Sequence, residues 1–117
     1  MRQIVYVAGP YTAPTREGIQ ANIDKAEAIG KMLLLQGDTP LIPHRITGHW
    51  DADPRFSGMT ARDWMNDVCL PLLDRCDAII MCPGWINSPG SLQEHQHAVV
   101  TGKLIMYFED DMPALTP

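Results

Sequence analysis

The chain has 117 residues, 45% of them apolar and 20% charged, which suits a soluble fold with one core and predicts a single domain over residues 1–117. A net charge of −5 argues against coating a nucleic-acid polymer, which needs clustered Lys and Arg, but leaves room for one phosphorylated small molecule held by backbone N–H groups. Three cysteines without C-x-x-C spacing, Cys69, Cys76 and Cys82, suggest neither a disulfide framework nor a zinc site and point to reduced thiols in a cytoplasmic protein.

No apolar run reaches the ~18 residues of a membrane span, so no membrane partner is expected. The start Met-Arg-Gln leads into a short strand-like run rather than a signal-peptide core. Gln3 to Ala8 is β-branched and apolar, bounded by Gly9-Pro10, and reads as a strand buried on both faces. The turn-rich loop from Gly9 to Pro14 has two readings. It is a plain strand-to-helix connection, or a place where backbone at Gly9 approaches a ligand.

A long helix is predicted from Arg16 to Gln36. Ile19, Ile23, Ala26, Gly30 and Leu33 fall on one stripe, with Thr15 as its cap and Gly37 as the left-handed residue after its end. Thr39 to Pro43 is the second strand, short and at a sheet edge because of its two prolines. His44 follows directly, and either faces a ligand crevice or is a loop histidine bonded to backbone. Residues 45–60 form a long irregular connection of the kind that serves as a lid or binding loop. Within it Trp50 or Phe56 either stacks on a planar base or closes the core.

Thr60-Ala61-Arg62-Asp63 resembles a capping box and opens the next helix. Its stripe is Trp64, Val68 and Leu72. Pro71 lacks the N–H that the Asp67 carbonyl would need, which predicts a break near Leu70 and a short helix from Pro71 to Arg75. Asp63 and Asp67 share a face, either solvated or, for Asp67, turned by the break toward the crevice. Asp77 to Cys82 is the third strand, Gly90 to Thr101 a helix, and Lys103 to Phe108 the last strand. Glu109 to Asp111 and the proline-containing end form an acidic tail expected to be poorly ordered. The order predicts an open parallel α/β sheet of about four strands, flavodoxin- or Rossmann-like, in the order 2-1-3-4 with helices on both faces.

The chemistry concentrates between the third strand and the helix after it, in Gly84-Trp85-Ile86-Asn87-Ser88-Pro89-Gly90-Ser91-Leu92-Gln93-Glu94. Such a loop lies outside the carboxyl end of a strand, where ligands bind. In one reading Ser91 to Glu94 is an S-x-x-E capping box, or Ser88 is the cap with Pro89 at the first helical position, and Glu94 only stabilises the helix start. In the other, Ser88, Gly90 and Ser91 supply hydroxyls and free N–H groups for an anion, and Glu94, one turn deeper, faces a sugar carbon. Trp85 either gates the site or seals it. His95 and His97 point in different directions on a helix, and with His44 and His49 they make no metal-ligand set.

Val5-Tyr6-Val7-Ala8-Gly9-Pro10-Tyr11, Cys76-Asp77-Ala78-Ile79 and Gly84-Trp85-x-x-Ser88-x-Gly90-x-x-x-Glu94-x-x-x-Ala98-x-x-x-Gly102-Lys103 together resemble the nucleoside 2-deoxyribosyltransferase-like superfamily, closest to its small DUF4406-type branch. The match spans most of the chain. The resemblance implies a flavodoxin-like sheet, a homodimer or higher homo-oligomer with sites assembled between copies, and an enzyme that cleaves the N-glycosidic bond of a nucleoside or nucleoside monophosphate by hydrolysis or base transfer. No cofactor and no metal are implied. Glu94 matches the catalytic nucleophile. Ser88, Gly90 and Ser91 match the loop for the 5′ end, and Gly9, Pro10 and Tyr11 the first loop of the site, with Tyr11 a catalytic candidate. The family's usual acid, an aspartate about eight residues before the third-strand Asp, is replaced by Cys69, and Asp67 and Asp63 are the nearest substitutes. That departure keeps open a non-catalytic nucleotide-binding or sensing module of the same fold.

Overall fold

The computed structural model describes residues 2–108; the acidic segment and the proline-containing end expected after Phe108 lie outside the described residues. Four strands, β1 (Ile4–Ala8), β2 (Thr39–Leu41), β3 (Ala78–Met81) and β4 (Leu104–Tyr107), form one sheet in the order β2-β1-β3-β4. Every pairing is parallel, with Tyr6 opposite Leu41 on one side and Ile79 on the other. This is the expected order, with β2 at an edge where Pro40 has no ladder bond to forfeit on its outer side.

The central strands are covered on both faces. Val5, Val7, Ala78, Ile80 and Cys82 pack against Ala26, Ile29 and Leu33 of α1 (Arg16–Leu35). Tyr6, Ala8, Ile79 and Met81 pack on the other face against Leu73 of α4 (Leu70–Asp74) and Ala98 of α5 (Pro89–Val100). Fully buried side chains such as Leu33 and Leu73 each contribute about 1.5–3 kcal/mol. The α1 stripe is buried as expected, with Ile29 added. Thr15 Oγ1 accepts from the Gly18 N–H at its start, and Gly37 follows its end at φ 98°.

The stretch after β2 is more ordered than the irregular loop expected. Pro43–Ile46 forms a short helix, α2, and Trp50–Ala52 and Pro54–Phe56 form single 3-10 turns. Thr60 and Asp63 make the capping box of α3 (Ala61–Trp64). The break comes earlier than Leu70. Met65–Cys69 is a π turn, closed by the Leu70 N–H on the Met65 carbonyl, and α4 follows with Pro71 in its first turn. A proline ring inside a helix clashes with the preceding turn, and widening that turn relieves the clash without ending the helix. The expected stripe is displaced by one position as a result. Met65 and Leu73 are buried, whereas Trp64, Val68 and Leu72 are only half-buried.

Candidate active site

A cavity of about 690 Å³ opens at the carboxyl ends of β1, β2 and β3. Gly9 to Thr12 line it after β1, His44, Thr47 and Asp51 after β2, and Asn87 to Ser91 after β3. Trp64, Met65 and Cys69 close one side and Glu94 lies at its base. The location follows from topology, because adjacent loops of a parallel sheet diverge at the carboxyl edge and leave a crevice.

Glu94 is 6% exposed and sits in the second turn of α5. It is not a capping residue. Ser88 is the cap, its Oγ accepting from the Ser91 N–H at 3.3 Å, and Pro89 holds the first helical position. Glu94 is therefore free to turn toward the sheet, where the Tyr6 hydroxyl donates to its Oε2. Oε1 has no hydrogen bond among the described residues. Burial pushes the Glu94 carboxyl up to about 7, with the Tyr6 bond acting in the opposite direction. Tyr6 is fully buried, and burial followed by the Glu94 charge raises its hydroxyl well above the ordinary tyrosine value. It remains a fixed donor.

The start of α5 forms the other end of the base. Ser91 is 1% exposed, and its Oγ has no partner among the described residues. Of the first N–H groups, Pro89 has none, that of Ser91 goes to Ser88 Oγ and that of Leu92 to the Ser88 carbonyl. The Gly90 N–H has no partner among the described residues. A buried hydroxyl left unpaired costs about 1–3 kcal/mol unless something bonds to it. Together with the positive end of a 12-residue helix, Gly90 and Ser91 can hold an anion.

Gly9 lines the cavity, and its lack of a side chain has a second cause. A Cβ there would lie 2.8 Å from Cys82 Cβ, so core packing on the α1 face brings this backbone to the cavity wall. Beyond Gly9, Pro10 and His44 a smaller cavity of about 380 Å³ runs along α1. The two readings of His44 are not exclusive. It is buried at the cavity wall, and its Nε2 donates to the Pro10 carbonyl at 2.9 Å. Burial lowers its pKa, against the pull of the Pro10 and Gly9 backbone, and so favours the neutral ring.

Tyr11 lines the cavity but its hydroxyl is committed elsewhere: it accepts from the His49 N–H at 2.8 Å and donates to Asp51 Oδ1 at 2.7 Å. The hydroxyl that touches Glu94 belongs to Tyr6. The sequence carried a signal for this, since a phenol on a strand buried on both faces needs a hydrogen-bond partner. Asp67 is exposed and is not brought to the cavity, and Asp63 is spent on the capping box. The π turn directs Cys69 inward instead, beside Tyr6 and Glu94, where burial and then the Glu94 charge raise its thiol to about 11. Cys69 thus stands in the cavity as a protonated thiol.

Of Trp50, Phe56 and Trp64, it is Trp64 that lines the cavity. Trp50 stacks on Phe56 at 5.8 Å, and Phe56 meets Trp64 edge-on at 5.6 Å, so the loop aromatics brace Trp64 from behind. Trp85 lies outside the cavity, stacked on His95 and tilted against Tyr107, and seals the β4 side.

The fold and the site define an open parallel α/β protein with a cavity at the strand ends and one buried carboxyl at its base. Compared with known proteins, residues 3–107 match the family described as a domain of unknown function, DUF4406, and the chain belongs to that family. No curated protein matches it. Among the described residues no helix is long and apolar enough to cross a membrane, and no group of His, Cys, Asp or Glu is placed to hold a metal ion.

Proposed function

We propose that the protein cleaves the N-glycosidic bond of a nucleoside or nucleoside 5′-monophosphate, by hydrolysis or base transfer, as a member of the nucleoside 2-deoxyribosyltransferase-like superfamily. The observation that carries the reading is the pairing of two features in one cavity: Glu94, buried and steadied by Tyr6, and the unpartnered Ser91 hydroxyl at the start of the same helix. A phosphate or 5′-hydroxyl on Gly90 and Ser91 would direct the sugar inward, toward Glu94.

In this reaction Glu94 Oε1 attacks C1′ as the C1′–N bond breaks, and the bonding pair leaves with the base, which takes up a proton from water. Water or a second base then attacks C1′ and releases the Glu94 carboxylate, as in retaining glycosidases. Tyr6 holds Oε2 throughout and offsets part of the cost of ionising a buried carboxyl. Attack requires the ionised form, so base release rises with pH as Glu94 titrates near 7. The three free cysteines suit a reducing, cytoplasmic setting. Exposed Leu92, Val99 and Val100 on α5 offer apolar surface to a second copy of the chain.

A second reading, a nucleotide-binding or sensing module without turnover, is favoured by one observation: the place of the acid is held by the Cys69 thiol, a far weaker proton donor than a carboxyl. Incubation with a panel of nucleosides and monophosphates, with and without a free acceptor base, separates the readings. Base release that disappears in a folded Glu94→Ala variant supports the enzyme. Release at the parent rate in that variant would refute the role of Glu94, and tight binding without release would identify the module.

A further inference from the structure

Opposite the α5 end of the cavity, the wall is formed by the segment after β2, and its one charged side chain is Asp51. Two elements hold this carboxylate in place. Arg16, in the first turn of α1, donates from Nη2 to Oδ2 at 2.8 Å and from Nη1 to Oδ1 at 3.2 Å. Tyr11 donates to Oδ1 at 2.7 Å while its oxygen accepts from the His49 N–H, and the direction is fixed because an ionised carboxylate can only accept. His49 pays for this position with a left-handed backbone at φ 65°, and its ring is tied at both nitrogens, Nε2 donating to Gln20 and Nδ1 accepting from Arg16. Arg16, then Tyr11, keep Asp51 below the usual carboxylate range.

A carboxylate has about four acceptor positions. Among the described residues Oδ1 accepts two of these bonds and Oδ2 one, and with the Asp51 backbone N–H also bearing on the carboxylate at most one acceptor is left on Oδ2, in a side chain 34% exposed at the cavity. Strand order sets what it meets. With the 5′ end at the α5 start after β3 and the reacting carbon at Glu94, the ligand extends past β1 toward β2, so its base reaches the end walled by Trp64 and Asp51. We propose that Asp51 is the specificity-determining residue of the site, accepting a hydrogen bond from the exocyclic amino group of the base and disfavouring bases that present a carbonyl oxygen there. The inference rests on the glycosidic reading for the placement of the ligand.

The test compares the 5′-monophosphates of adenine with hypoxanthine and of cytosine with uracil, by base release and, separately, by calorimetric binding, in the parent, Asp51→Asn and Arg16→Gln. Bonds to a charged acceptor discriminate by about tenfold or more. The parent is expected to favour the amino member of at least one pair by that factor. Asp51→Asn, which can donate as well as accept, should bring the ratio toward one, and Arg16→Gln, which keeps the carboxylate but removes two of the bonds that hold it, should lower the ratio less. A general fall in affinity at constant ratio in Asp51→Asn would show a merely structural role and overturn the proposal, as would a parent without preference. Binding with the expected ratio but no release would overturn the catalytic reading alone, and absence of binding to every nucleotide would overturn both.

Discussion

Glu94 should make the stability of this protein fall with rising pH, and replacing it with Gln should remove that dependence. A carboxyl raised from 4.5 to about 7 on folding corresponds to about 3 kcal/mol between its two protonation states. Below pH ~4.5 the group is protonated in both the folded and unfolded chain, and there is no penalty. As pH rises toward 7 the unfolded chain releases the proton while the folded one retains it, so unfolding becomes progressively easier. Above 7 the full penalty is present. The parent should therefore lose about 3 kcal/mol relative to Glu94→Gln between pH 4 and pH 8, or about 10 °C in Tm for a chain of this size. Carboxyls held low in the fold, such as Asp51 and Asp74, act in the opposite direction but are common to both proteins and cancel in the difference. Urea titrations at pH intervals of 0.5 measure it. Curves for the two proteins that run parallel within about 1 kcal/mol would refute the burial argument, and with it the expected pH limb of base release.

Four other outcomes are expected. Tyr6→Phe removes the bond that favours the ionised form of Glu94, so the pH midpoint of base release should move up, measured from the pH–rate profile. Ser91→Ala deletes an unpartnered hydroxyl, so the free protein should unfold at the same or a slightly higher urea concentration while inorganic phosphate and nucleotide monophosphates bind more weakly in calorimetry. Cys69→Asp places a carboxyl acid beside Tyr6 and Glu94; if base release is limited by the leaving group, the rate should rise by about 10²-fold, in the range of general acid catalysis, in single-turnover assays. Gly9→Ala puts a methyl 2.8 Å from Cys82 Cβ and should destabilise the fold by about 1–3 kcal/mol in urea.

What could be read in the sequence was what depends on local pattern. The sheet order, the stripe and cap of α1, the edge position of β2 and the capping box at Thr60 all follow from periodicity and from residues with narrow conformational preferences. Glu94 could be singled out as a candidate because a small-residue loop after a buried strand is a local signature. The contacts of Tyr6 and Asp51 were not legible because their partners lie far along the chain. Tyr6 meets Glu94 across 88 positions, and Asp51 meets Tyr11 across 40 and Arg16 across 35. Asp67 and Trp64 were misplaced for another reason: their directions depend on the phase of a helix that contains Pro71, and proline signals a disturbance without specifying its geometry.

That phase has a consequence for how the helical run from Ala61 to Asp74 serves two masters. In a regular α-helix eight residues overshoot two full turns by about 80°, so Met65, Cys69 and Leu73 would spiral away from one another. The π turn takes up the overshoot and aligns them on one line. Its first two members face the cavity and its last is sealed in the sheet core. The turn thus works as a vernier between the ligand side and the core side of the same helix. A π turn holds one residue more than an α turn, so deleting a single residue from 65–69 would close it to an α turn, leave Trp64 and the residues upstream near their present register, and press the Pro71 ring against the turn before it.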